Sequence, residues 1–158
     1  MCQINSIFPS FKVLIVSGLT SAGLTGEVKS YDLYSGQWIT LQPLTYPRRS
    51  HACTHYKKAD GSETVIVAGG ITFGGDKTAS VEIYDVASDT WGQGPGLPAA
   101  TSHFNLVNIG ALGGRVGDPA MTSDLIQVMR DDLSGWEVHE VKIPNGGFFS
   151  AAVAVYNE

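Results

Sequence analysis

Three tryptophans, Trp38, Trp91 and Trp136, constrain what this chain can fold into, because each ends the same series of landmarks. They lie 53 and 45 residues apart. Seven positions before the first two stand Tyr31 and Tyr84, and the third copy has Met129 there. Further back, an apolar run ends in small residues: Val13-Leu14-Ile15-Val16-Ser17-Gly18, Val65-Ile66-Val67-Ala68-Gly69-Gly70 and Ala111-Leu112-Gly113-Gly114. Downstream come a proline and a histidine, Pro47 with His51 and Pro98 with His103; the third copy has Pro144 and then Phe148-Phe149. Landmarks recurring in one order at near-constant spacing mark an internal repeat, which is read before any single element.

The repeat unit reads as strands. Short β-branched runs bounded by glycine suit strands covered on both sides. Val81 and Ile83 against Glu82 alternate more, which predicts a third strand in less uniform surroundings. Ser35-Gly36, Ser88-Asp89 and Ser134-Gly135 are turn formers, since glycine reaches positive φ and Ser or Asp bonds its own backbone. The double glycine suits a close backbone approach. The hairpin places Tyr84 near Trp91, an aromatic pair able to lock one sheet to its neighbour.

Composition agrees. Glycine is 19 of 158 residues and charged residues are 16%, well under the roughly 25% of an average soluble domain. That favours many turns and few long helices, while 43% hydrophobic residues supply a core. A net charge of -5 argues against nucleic acid, whose phosphates need clustered Lys and Arg. No run reaches the ~18 apolar residues of a membrane helix. Two cysteines, Cys2 and Cys53, are too few for a disulfide framework, which together with the lack of an N-x-S/T acceptor points to a reducing, cytoplasmic setting. Val13–Val16 is too short and too early broken by Gly18 for a signal peptide.

Val65–Gly70, then Val81-Glu82-Ile83-Tyr84-Asp85, then Trp91, then Leu97-Pro98 resembles the kelch repeat, and Pro47-Arg48-Arg49-Ser50-His51 resembles its opening segment. The resemblance covers roughly residues 13 to 155. It implies an all-β fold, an incomplete kelch β-propeller of about three four-stranded antiparallel blades plus a strand of a further blade. The blades are expected at about 2–41, 50–93 and 102–140, with the extra strand at about 148–156. Propellers close with about four to eight blades. The chain is therefore expected to be part of a longer protein, a truncated product, or a piece that completes itself by pairing through open blade edges.

The resemblance also implies a non-enzymatic module that presents loops to a protein partner. Kelch proteins of this kind include substrate receptors of cullin ubiquitin ligases and actin-associated proteins. The rival reading is a fragment of a kelch-type propeller enzyme, an oxidase or a sugar-processing enzyme. The loops expected to gather on one face are Leu19–Glu27, Ile71–Thr78 and Arg115–Ser123, with the inter-blade segments around them. Arginine and aromatic residues anchor interfaces most often, which singles out Tyr46, Arg48, Arg49, Phe73, Lys77 and Arg115 as protein-binding residues, with Arg48 also a candidate brace between blades.

No catalytic residue, cofactor or metal site is expected. His51 and His55 share a strand face but lack a third zinc ligand, and His51 reads as the repeat's own histidine, recurring as His103. Cys53 lies near Arg48 and Arg49, a setting that activates a thiol, although burial in a strand is the commoner fate. Gly69–Gly75 lacks the Gly-Lys-Ser/Thr ending of a phosphate loop, no nucleophile elbow is present, and Asp131 and Asp132 fall in a turn.

Overall fold

The computed structural model describes residues 2–7, 12–117, 121–145 and 147. Every regular element among them is a strand. The first sheet holds β1 (Cys2–Ile7), β2 (Lys12–Thr20), β3 (Gly23–Asp32) and β4 (Trp38–Leu41). The second holds β5 (Ala52–Lys57), β6 (Glu63–Ala68), β7 (Val81–Asp85) and β8 (Thr90–Gly94). Next come β9 (Thr101–Ser102), β10 (Asn105–Val107), β11 (Gly110–Leu112), β12 (Arg115–Val116), β13 (Met121–Thr122), β14 (Ile126–Met129) and β15 (Trp136–Val138). The third four-stranded sheet runs β10-β11-β14-β15, and β13-β12-β9 form a small sheet at its rim. All pairings are antiparallel, and the stacked sheets do not close on themselves. The fold is thus an all-β, incomplete propeller. The strand expected at about 148–156 lies outside the described residues.

Period-two alternation in β6 explains the stacking. Val65 and Val67 point into a core shared with Leu14, Val16 and Val28 of the first sheet, and Ile66 and Ala68 point into a core shared with Phe104, Leu106, Ala111 and Met129 of the third. A strand covered on both faces needs an apolar residue at every position, which is why this run does not alternate. In β2 the same pattern is only half filled: Leu14 and Val16 are buried, while Val13 and Ile15, on the face away from the second sheet, are half-buried.

The aromatic hairpins form as expected. Tyr31 and Trp38 have ring centroids 4.8 Å apart, and Tyr84 and Trp91 4.9 Å. Acidic side chains hold the turns: Asp32 accepts the Tyr34 and Ser35 amides, Asp85 the Ser88 amide and Asp132 the Ser134 amide. Those bonds lower all three carboxyl pKa values. The double glycine is required sterically. A Cβ on Gly69 (φ 59°) would meet the Thr101 carbonyl at 2.4 Å, and one on Gly70 (φ 101°) the Arg49 carbonyl at 2.8 Å.

Several sequence expectations need correction. Residues 19–27 are not a loop: β2 and β3 pair through them up to a two-residue turn at Ser21-Ala22. The register places Phe104, not His103, at the position of His51, because His51 packs on Gly70 where Phe104 packs on Gly114. His103 stands where Ser50 does, and both have φ of 54°. Glu82, the charged member of the alternating strand β7, is buried. Cys53 is disulfide-bonded, and no described cysteine is free; Cys2 is the sequence's other cysteine. A bonded sulfur is no nucleophile, and the compartment argument drawn from cysteine usage falls with the free thiol.

Candidate functional site

The linkers between sheets pass over one rim of the stack, and two arginines in the first linker meet opposite fates. Arg48 is wholly buried. Its Nη1 donates to the carbonyls of Gly69 (3.1 Å) and Ser80 (2.8 Å), and its Nε donates to the carbonyl of Tyr46 (3.1 Å). Nη2 donates to Glu82 Oε1 (2.9 Å). Glu82 in turn accepts the amides of Thr45 (2.8 Å) and Tyr46 (3.1 Å). Four of the five guanidinium N–H groups are matched by these bonds, and pairing of this kind is the condition under which a buried ion pair is tolerated. Arg48 is therefore a brace between the first and second sheets and is not available to a partner, which corrects its assignment as a binding residue. The bonds are short in sequence terms only for Tyr46; the rest span more than twenty residues, so no local motif announced Glu82 as the mate.

Arg49, one residue on, alternates to the other side of the extended linker. It forms a β-bridge with Ile71, and Ile71 bridges Lys77. The amide of His103 donates to the carbonyl of Ser50 (2.9 Å), setting His103 next to the Arg49 segment. Arg115 in β12 pairs with Ser102, one residue from His103. Lys77 Nζ donates to the Gly117 carbonyl (2.7 Å), which ties the 71–77 loop of the second sheet to the rim of the third. Four chain segments thus bring Arg49, Lys77 and Arg115 around His103. The electrostatics record the gathering: partial burial first, then the charges of Arg115, Arg49 and Lys77, hold His103 below the usual histidine range. Asp76 lines the adjoining cleft with Gly75, Lys77, Ala100 and Gly117. None of the five ion pairs among the described residues includes Arg49 or Lys77.

Phe73, at the tip of the same loop, is 72% exposed, and Tyr46 is 53% exposed on the first linker. Of the six residues singled out in the sequence, the structure brings Arg49, Lys77 and Arg115 together, leaves Phe73 and Tyr46 exposed beside them, and removes Arg48. Sequence reasoning missed His103 as the centre of this group, having matched it to His51.

The other titratable groups serve the scaffold. His51 is buried with neither ring nitrogen in a well-formed hydrogen bond, and burial pushes it down to about 3. His55 lies 3.1 Å from Glu63. No group of three or more His, Cys, Asp or Glu among the described residues could hold a metal ion.

Comparison with known proteins adds a partial likeness. Over 73 residues the chain is 38% identical to the F-box/kelch-repeat protein OR23 of Arabidopsis thaliana. The match covers 42% of this chain and 16% of that protein. No family model matches the chain. Likeness to a kelch-repeat protein accords with the fold, and it points coarsely to an interaction protein. No helix among the described residues is long and apolar enough to cross a membrane.

Proposed function

We propose that this chain is a kelch-type, non-enzymatic module that binds a protein partner through the rim carrying Arg49, Lys77 and Arg115. The observation that carries the reading is the convergence of three cations from separate segments on a rigid rim. Loops on a rigid scaffold are where binding residues accumulate. The likeness to a kelch-repeat protein supports the same reading. A finer version makes the chain the substrate-recognition part of a ubiquitin-ligase adaptor, and the F-box in that relative's name supports it.

The experiment is affinity capture from cell extract with the wild-type chain, an Arg49→Glu/Arg115→Glu variant and a Lys57→Glu/Lys58→Glu control on the opposite end of the second sheet. Partners that bind wild type and control but not the rim variant support the proposal. Partners retained equally by all three contradict it.

A further inference from the structure

We propose that the disulfide of Cys53 runs to Cys2 and is a redox latch, which holds strand β1 on the edge of the first sheet and frees it when a thiol reductant opens the bond. Cys53 is bonded, and the sequence has two cysteines, so Cys2 is the mate available within the chain. The strand registers place the two positions together. Cys2 stands opposite Val16, and directly opposite residues of an antiparallel pair share a face of the sheet. Val16 and Cys53 belong to one core, and β1 lies against β5. The second junction repeats the arrangement. Ala52 stands opposite Ala68 as Cys2 stands opposite Val16, and Leu106 stands opposite Ala111 as Cys53 stands opposite Val67. Ala52 and Leu106 share the second core, where β5 lies against β10. Positions 2 and 53 are thus the counterparts of a pair that meets across a junction.

Sheets of this kind stack without a cross-link, since Ala52 and Leu106 serve at the second junction. The bond therefore matters most to β1. β5 packs against both β1 and β10, whereas β1 is an edge strand whose ladder runs to β2 alone and shifts register between Asn5 and Ile7. Gln3, Asn5 and Ser6 make half of it polar. A strand with one hydrogen-bonded neighbour and little apolar surface opens locally at small cost. Cys53 is only 9% exposed, so a reductant thiolate attacks the sulfur of Cys2. The S–S bond breaks, Cys53 leaves as a thiolate and takes a proton, and the reductant is held on Cys2 as a mixed disulfide. A second reductant thiol displaces it. Two electrons and two protons thus pass to the chain from a dithiol or two glutathione-type thiols, which end as a disulfide. The freed Cys53 stays in the core as a small apolar side chain, so the second sheet keeps its packing while β1 loses its tether.

The test compares the whole chain before and after dithiothreitol, by amide hydrogen exchange and by mass. In denaturant the untreated chain should take up no iodoacetamide, and the reduced chain one label on each of its two cysteines. Reduction should speed exchange of the β1 amides by at least about tenfold and change those of β6 and β7 by less than about twofold. Oxidised glutathione should restore the slow pattern. Cys2→Ser should show the reduced pattern with no reductant and should not respond to one. Cys53→Ala, which keeps an apolar residue in the core, should do the same. Equal protection of β1 in both states would show that the bond is no latch. Loss of protection in all strands together would make it a staple of the whole fold, which also overturns the proposal. Label uptake without reductant, or a covalent dimer on a non-reducing gel, would show that Cys2 is not the mate of Cys53. None of these outcomes bears on the rim as a binding face.

Discussion

The two junctions in the stack are built on the same positions with opposite chemistry. Between the first and second sheets, Arg48 from the linker meets Glu82 on β7. Between the second and third, the corresponding positions are Thr101 and Gln127, both fully buried. Glu82 also accepts the Thr45 and Tyr46 amides; at the second junction Pro98 stands where Thr45 does and has no N–H to give. Gln127 has accordingly lost its charged partner and one backbone donor, and both its amide atoms lack a hydrogen bond. One feature is kept at both junctions. The indole of Trp91 donates to the Gln42 carbonyl (2.8 Å) and that of Trp136 to the Pro95 carbonyl (2.9 Å), each acceptor lying four residues past the preceding tryptophan. The indole clasp is thus the constant of the stack, and the buried polar pair is the variable, satisfied once and orphaned once.

The sharpest way to break this comparison is Glu82→Ala. It leaves the Arg48 guanidinium buried without its carboxylate and should cost about 3–5 kcal/mol, read from denaturant unfolding. A loss under about 1 kcal/mol would mean that the first junction does not depend on the pair.

The clasp is tested by comparing two tryptophans. Trp91 is only partly covered, so Trp91→Ala should cost about 2–3 kcal/mol, below the 3–5 of a fully buried aromatic. Trp38 is 52% exposed, on the face of the first sheet that no described sheet covers. Trp38→Ala should therefore cost less than about 1 kcal/mol, as surface changes do. Equal losses would show that the two hairpins are not placed as described.

His51 and Phe104 occupy equivalent places and differ in one respect, the ability to titrate. The folded His51 is pushed down to about 3 from 6.5. Above pH 6.5 it is neutral folded and unfolded, and below that only the unfolded chain takes up the proton. Stability should then fall by about 2 kcal/mol between pH 6.5 and pH 5 on account of this group. His51→Phe should flatten most of that slope, leaving a smaller share to His103. The lowered turn carboxylates Asp32, Asp85 and Asp132 act in the same direction but only below their unfolded values, near pH 4. An unchanged slope in the variant would contradict the burial of His51.

The second junction offers a gain. Gln127→Met removes two unpartnered polar atoms at similar volume and should stabilise the chain by about 1 kcal/mol, measured in the same denaturant series. Destabilisation would mean that Gln127 has partners the second junction does not display.

Much of the architecture was legible because it rests on periodicity. The Tyr–Trp spacing placed the hairpins, and the run Val65–Ala68 announced a strand covered on both faces. Residues whose roles depend on distant segments were not legible. Glu82 reads only as the charged member of an alternating strand, and its mate Arg48 lies 34 positions away. Residue type aligns His103 with His51, but the two linkers have equal length, His51 and Phe104 each standing 13 residues past the preceding tryptophan, and the register puts Phe104 in the His51 place. For the rim, residue type picked out Arg49, Lys77 and Arg115, whereas their meeting around His103 needed the bridges to Ile71 and Ser102. Arg48 and Arg49 show the limit most plainly: adjacent and identical, one is buried and the other lies on the rim, because successive residues of an extended segment point to opposite sides.

The central claim is that one indole clasp repeats between successive sheets, leaving the first tryptophan with no sheet to clasp among the described residues. Hydrogen exchange of the three indole N–H signals in a heteronuclear NMR spectrum tests it most directly. Trp91 and Trp136 should exchange slowly and show cross-peaks to Gln42 and Pro95, while Trp38 exchanges at nearly the rate of free tryptophan. Three signals of like protection, or fast exchange at Trp91 or Trp136, would contradict it.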